Sequence, residues 1–238
     1  MNFKMFNWFK KKKLIEFYTN VPFAMERFAP DNGKKDLAEI LKKVKPFKKE
    51  HREVNIRKCP GIIDYCKTGY VIRAWQDILV DAYEDGEYFE WKTPLNAGNF
   101  LSKNSSGGLD VKDIIHFERE VFFDYFPRPN TLKMVLKINT PWFVKVPKGY
   151  KVLFLPAWYD NETRFSVIPG VLDPTMNSEI NVQMYWHALG RQEIIKAGTP
   201  LVKIIPIKDE TFDFVAREIT PEEDYQVRLH NYDLSKNF

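Results

Sequence analysis

From residue 131 to residue 208 the chain reads as one short strand after another, and this run limits the fold more than any other feature. TLKMVLKI (131–138), PWFVKV (141–146), YKVLFLPAW (150–158) and RFSVIPGVL (164–172) are rich in β-branched and aromatic residues, which suit a pleated, half-buried surface. Pro141, Pro147 with Gly149, and Asp160-Asn161 punctuate them. INVQMYWHAL then sets Ile180, Val182, Met184, Trp186 and Ala188 on one face and Asn181, Gln183, Tyr185 and His187 on the other. That is the period of two of a strand buried on one side. EIIKAGTPLVKIIPIK predicts a strand, a turn at Gly198 and a last strand apolar on both faces. The expected fold class is mainly β, with an antiparallel core.

Helices are expected only at the two ends of this body. Leu14 to Tyr18 predicts one short strand, followed by a loop through Pro22 and Pro30. Leu37, Ile40, Leu41 and Val44 recur at helical spacing, so a helix is expected over about 35–44, closed by Pro46. In CPGIIDYCKTG, Pro60 near the start and Gly69 after the end suit a short helix with proline at its first position and glycine behind it. Asp85-Gly86 between alternating segments predicts a hairpin with a return strand Glu87–Thr93. Residues 94–110 are rich in Asn, Ser and Gly and read as a surface loop, a lid or a subdomain boundary. Thr220-Pro221-Glu222-Glu223 is a capping box, so a short C-terminal helix is expected. Three stretches result: 1–58 as a basic arm and helix, 59–110 as helix, hairpin and loop, and 111–238 as core and C-terminal helix, with 59–238 as one compact domain.

Charge and apolar content narrow the partners. No apolar run approaches the ~20 residues that cross a bilayer. After the N-terminal lysines only Leu14-Ile15 is uninterruptedly apolar, so no secretory pattern is expected and the cytoplasm is the expected location. Residues 1–58 carry 16 Lys and Arg against 7 Asp and Glu, whereas the other 180 residues carry 20 against 25. A basic end of this kind either coats a solvated helix and arm with lysines or contacts a polyanion or nucleic acid. Cys59 and Cys66 lack metal-spaced partners and are expected as unpaired thiols that pack like small hydrophobes.

Two resemblances rest on residues already named. VPKGYKVLFLP, PGVLDPTMNSEINVQM and IIKAGTPLVKIIP follow one another in the order of elements of the dUTPase-like β-clip fold. This resemblance implies a β-clip-like antiparallel core with a few short helices. The catalytic pattern of that family is not kept. Asp173 stands at the place of the acid that positions water, but Met176 replaces a tyrosine and Leu155-Pro156-Ala157-Trp158 replaces an Arg-Ser-Gly phosphate grip. DLSKNF ends the chain without a glycine-rich closing motif, so a triphosphate would lack its charge-assisted donors. CPGIIDYCKTGYVIRAWQDI, NTPWFVKVPKGYKVLFLPAWY, IPGVLD and AGTPLVKIIPIK also resemble a family of tailed-phage and bacterial proteins with no assigned activity. That resemblance implies a phage or prophage origin.

The residues leave three functional readings open. The leading one is a non-catalytic phage protein that binds protein or itself, including as a virion component, and needs no cofactor. The second is a non-haem Fe(II) oxygenase built on His116, Glu118 and His187, since two histidines and a carboxylate leave three faces of iron open. Its bland counterpart is a loop-edge His116 and a hydrogen-bonded surface His187. The third is a nucleotide or small-molecule binder without dUTPase activity at Asp173, which otherwise simply caps a turn. Trp142, Trp158 and Trp186 are expected in the core, or else on a stacking surface.

Overall fold

The computed structural model describes residues 13–19, 21–43, 59–93, 115–118, 128–157 and 162–236. The N-terminal part contains β1 (Glu16–Tyr18), α1 (Pro22–Phe28), β2 (Asp31–Asn32), α2 (Gly33–Lys43) and α3 (Pro60–Lys67). Next come β3 (Tyr70–Arg73), β4 (Ile78–Ala82), β5 (Phe89–Lys92) and β6 (Ile115–Glu118). The central strands are β7 (Val135–Lys145), β8 (Tyr150–Leu155), β9 (Phe165–Val167), β10 (Gly170–Leu172) and β11 (Glu179–Trp186). β12 (Arg191–Ile195), β13 (Pro200–Lys208) and α4 (Pro221–Lys236) complete the described chain.

These strands form three antiparallel sheets, so the fold is mainly β with a few short helices. The first runs β1-β7-β11-β9, with β6 also paired to β7. The second runs β10-β8-β13-β3-β2, and the third β12-β4-β5. Inward-facing residues build one core in which Trp142, Trp186, Leu136, Ile138, Met184, Ile72 and Leu201 are fully buried. Trp142 and Trp186 therefore supply core area and offer no stacking surface. Trp158, the loop 94–110 and the lysines 10–12 lie outside the described residues.

Local signals came out as expected. The 78–92 hairpin forms, with Gly86 at φ 72°, a conformation open to glycine without strain. α3 starts at Pro60 and is followed by Gly69 at φ 74°, where an added Cβ would meet the Ile204 carbonyl at 2.3 Å. Cys59 and Cys66 are both free thiols. α2 starts two residues before the expected position because Asn32 Oδ1 accepts the Lys34 N–H at 2.9 Å and caps its first turn.

Three expectations are corrected. Pro141 does not separate two strands: β7 runs through it for 11 residues. β11 shifts register between Glu179 and Asn181 opposite this stretch, so the missing proline N–H falls in a gap of the ladder. RFSVIPGVL is not one strand but two, and at Ile168-Pro169 the chain leaves the first sheet as β9 and enters the second as β10. The expected turn at Gly198 forms between two strands, and it joins different sheets, since β12 pairs β4 whereas β13 pairs β3 and β8. The segment after Pro22 is a helix, with proline at the start of α1, where its lack of an N–H costs nothing.

Candidate functional site

The polar face of β11 became a surface because β11 is central in the first sheet and its apolar set faces the core. Antiparallel partners directly opposite each other share a face. Asn181 is level with Asn139, Gln183 with Lys137, and Tyr185 with Ser166 of β9. One continuous polar face results, half-buried at Lys137, Asn139, Ser166, Asn181, Gln183 and His187. At one end His187 Nε2 lies 2.8 Å from Ser166 Oγ. Burial first, and then the positive charge of Arg128, hold the His187 pKa below the ordinary imidazole value, so the ring is neutral at pH 7. Arg128 sits over the Tyr185 ring with its guanidinium carbon 4.6 Å from the centroid.

The other end of the face opens into a cleft of about 250 Å³ between the first and second sheets. Phe154, Ile168, Val171 and Leu172 give it an apolar wall, and Lys137, Asn177, Glu179, Asn181 and Gln183 give it polar groups. The split of RFSVIPGVL creates this cleft, because Ile168 to Leu172 cross from one sheet to the other along its rim. Asp173 follows directly. Its Oδ1 accepts from the Thr175 N–H at 3.0 Å and the Thr175 hydroxyl at 2.6 Å, and its carbonyl accepts from Met176 and Asn177. Those Thr175 bonds, the hydroxyl foremost, hold the Asp173 carboxyl below the usual carboxylate range. Asp173 thus orders the turn beside the cleft, and its lining does not include Asp173 itself.

The register also places the three predicted iron ligands. His116 pairs with Lys137, which pairs with Gln183, so His116 is level with Gln183 and two strands away. Glu118 pairs with Val135, one pleat repeat closer to His187. At about 4.8 Å between strands and 3.3 Å per residue, the Cα atoms of His116 and His187 are roughly 16 Å apart. The backbone puts His116 and Glu118 on one face of β6, and His187 lies beside Ser166. Among the described residues no cluster of three His, Cys, Asp or Glu side chains could hold a metal. The side chains of His116 and Glu118 lie outside that description.

A second candidate surface is the C-terminal arm, residues 209–236. Every residue from 209 to 222 is exposed, and so are 225–232. Phe212 is 82% exposed, Phe214 89% and Val215 83%; Ile219, Tyr225, Val227, Leu229 and Tyr232 are exposed as well. The arm leaves the body after β13, where Asp209 donates its N–H to the Gly149 carbonyl and pairs with Lys151 at 3.0 Å. Its helix is held locally. Thr220 Oγ1 accepts the Glu223 N–H at 3.3 Å, Glu223 Oε2 accepts the Thr220 N–H at 2.9 Å, and Arg217 grips the Glu223 carboxylate. Arg217 foremost, and then Thr220, pull the Glu223 pKa down to about 2.

Sequence reading pointed to His187 but missed Ser166 and Arg128. Ser166 is 21 residues from His187, and only the pairing of β9 with β11 joins them. It also missed the exposed arm, although TFDFVAREI (211–219) opens with the alternation of an extended segment.

No protein-family model and no curated protein matches the chain. Among solved structures it is similar to the dUTPase of phage phi11 of S. aureus, with TM-score 0.39 and 10% identity over 87% of this chain and 99% of that one. It is also similar to the dUTPase of Staphylococcus bacteriophage 80alpha, with TM-score 0.40 and 9% identity over 87% and 97%. A structure of the 80alpha dUTPase with dUpNHpp gives TM-score 0.38 and 8% identity over 87% and 90%. These neighbours are dUTPases, the family whose element order the motifs in residues 131–208 resemble, and likeness of this degree carries nothing about activity.

Proposed function

We propose that this is a non-catalytic phage protein that acts by binding protein, first of all a second copy of itself, through its C-terminal arm. The observation that carries this reading is the set Phe212, Phe214 and Val215, exposed on a segment with no body beneath it. Large apolar side chains gathered on one exposed stretch mark a contact surface. Burying one of them stabilises a complex by about 1.5–3 kcal/mol, so three supply roughly 5–9 kcal/mol. Association costs on the order of 4–15 kcal/mol, so one arm alone is close to break-even. A symmetric pair that exchanges arms doubles the gain and meets the rigid-body cost once, which favours a second copy. The sequence resemblance to tailed-phage proteins supports the phage setting.

Phe214→p-benzoylphenylalanine, irradiated in the otherwise intact chain, tests this reading. The expected product is a covalent dimer whose second peptide comes from the folded body. A chain that stays uncrosslinked, alone and in lysate of infected cells, contradicts it. Membership of the particle is a separate matter, and mass spectrometry of purified virions decides it.

The cleft favours a second reading, a nucleotide or small-molecule binder without dUTPase activity. About 250 Å³ bounded by Asn181, Gln183 and an apolar wall fits one ring with hydrogen-bonding edges. Calorimetry with nucleosides and nucleotides tests it, and a flat titration removes it.

A further inference from the structure

On the polar face of the first sheet, beyond the cleft, lies a group of side chains that neither reading uses. Arg128 is exposed and, among the described residues, has no carboxylate partner; its guanidinium rests on the Tyr185 ring. Tyr185 is level with Ser166 across the β9–β11 ladder, and Ser166 Oγ is 2.8 Å from His187 Nε2. Arg128, Tyr185, Ser166 and His187 therefore form one contiguous group, and Arg128 is close enough for its charge to act on His187. A cation over an aromatic ring, beside a hydroxyl backed by imidazole, is a set of donors for an anion.

We infer that Arg128 and Ser166 bind the phosphate group of a small ligand, with His187 positioning the Ser166 hydroxyl. The guanidinium presents two parallel N–H bonds to two oxygens of an oxoanion. A carboxylate has only those two oxygens, and the fork alone satisfies them. A phosphate monoester has a third, which the Ser166 hydroxyl can reach as donor. Once the hydroxyl donates to the anion, its own oxygen is free to accept. His187 is neutral, and in its Nε2–H tautomer it donates to Ser166 Oγ and completes the chain from ring to hydroxyl to phosphate. Burial supports this arrangement because it keeps the ring uncharged, so His187 aligns the serine while Arg128 supplies the charge.

Ring ¹⁵N shifts of His187, assigned by their loss in His187→Gln, test the inference during titration of the full chain with inorganic phosphate. Chloride holds the ionic strength constant, since screening alone changes with salt, and the pH is fixed at 7.5. The expected result is a saturable change toward the Nε2–H tautomer, with half-saturation at about 1 mM or below. Arg128→Ala raises that concentration by about tenfold or more. Ser166→Ala cuts the link, so phosphate no longer alters the ring tautomer. Acetate produces no saturable change below roughly 20 mM, an affinity weaker than the millimolar scale. No response to phosphate, the same curve in Arg128→Ala, or equal saturation by acetate each overturns the inference.

Discussion

Lys203 is 3% exposed in the middle of β13, a strand whose sequence is apolar on both faces. Its ammonium is accommodated because Nζ donates to the Cys66 carbonyl at 2.8 Å, at the end of α3, and lies 4.8 Å from the Tyr65 ring centroid. A cation at a helix C-terminus is also favoured by the dipole. Lys203→Ala removes both the charged hydrogen bond and the packed stem, so it is expected to cost about 2–4 kcal/mol in urea unfolding. Lys203→Met keeps the stem, and a cost equal to that of alanine would contradict this account of the site. His187 makes a pH-dependent contribution of known sign. Its folded pKa is depressed, so the unfolded chain binds the proton more readily. Stability is therefore complete above the ordinary imidazole value near 6.5 and falls as pH drops through it toward the folded pKa. His187→Gln is expected to flatten the dependence of urea midpoints between pH 7.5 and pH 5.5. At this scale the sequence made Asp173 legible as a turn cap, because Thr175 is two residues away. It left Ser166 and Arg128 unread, because their partners come from register.

Apart from α1 after Pro22, elements whose cause is local were readable in advance, and those that depend on partner choice were not. The hairpin at Gly86, α3 between Pro60 and Gly69, and the capping box at Thr220 each follow from residues within a few positions of one another. The continuity of β7 through Pro141, the break at Ile168-Pro169 and the divergence of β12 from β13 are choices between sheets. Periodicity cannot report them, because a strand alternates in the same way whichever neighbour it pairs with. The cleft was hidden for the same reason, since it exists only where the chain changes sheet. α4 carries a direct test of its cap. Glu223 titrates at about 2 against an ordinary 4.5, a depressed carboxylate pKa, so its support of the helix is present above pH 4.5 and is lost between about 4.5 and 2. Helical signal from residues 221–236, followed by NMR shifts, is expected to fall across that window. Thr220→Ala is expected to lower it already at pH 7, and unchanged shifts in that variant would count against the cap.

Taken as a molecule, the protein is a three-sheet antiparallel body with one core and an arm whose apolar side chains face water. Among the described residues no helix is long and apolar enough to cross a membrane. The basic stretch 1–58 meets the body through β1, which pairs β7, and through β2, which pairs β3; a polyanion contact through its lysines stays a separate proposal. In the proposed function the arm joins two copies. Sedimentation velocity of the full chain and of a chain ending at Lys208, from about 1 to 100 μM, tests it most directly. The expected result is a concentration-dependent rise to the dimer mass for the full chain and a monomer throughout for the shortened one. Equal, monomeric sedimentation of both across the whole range would contradict it.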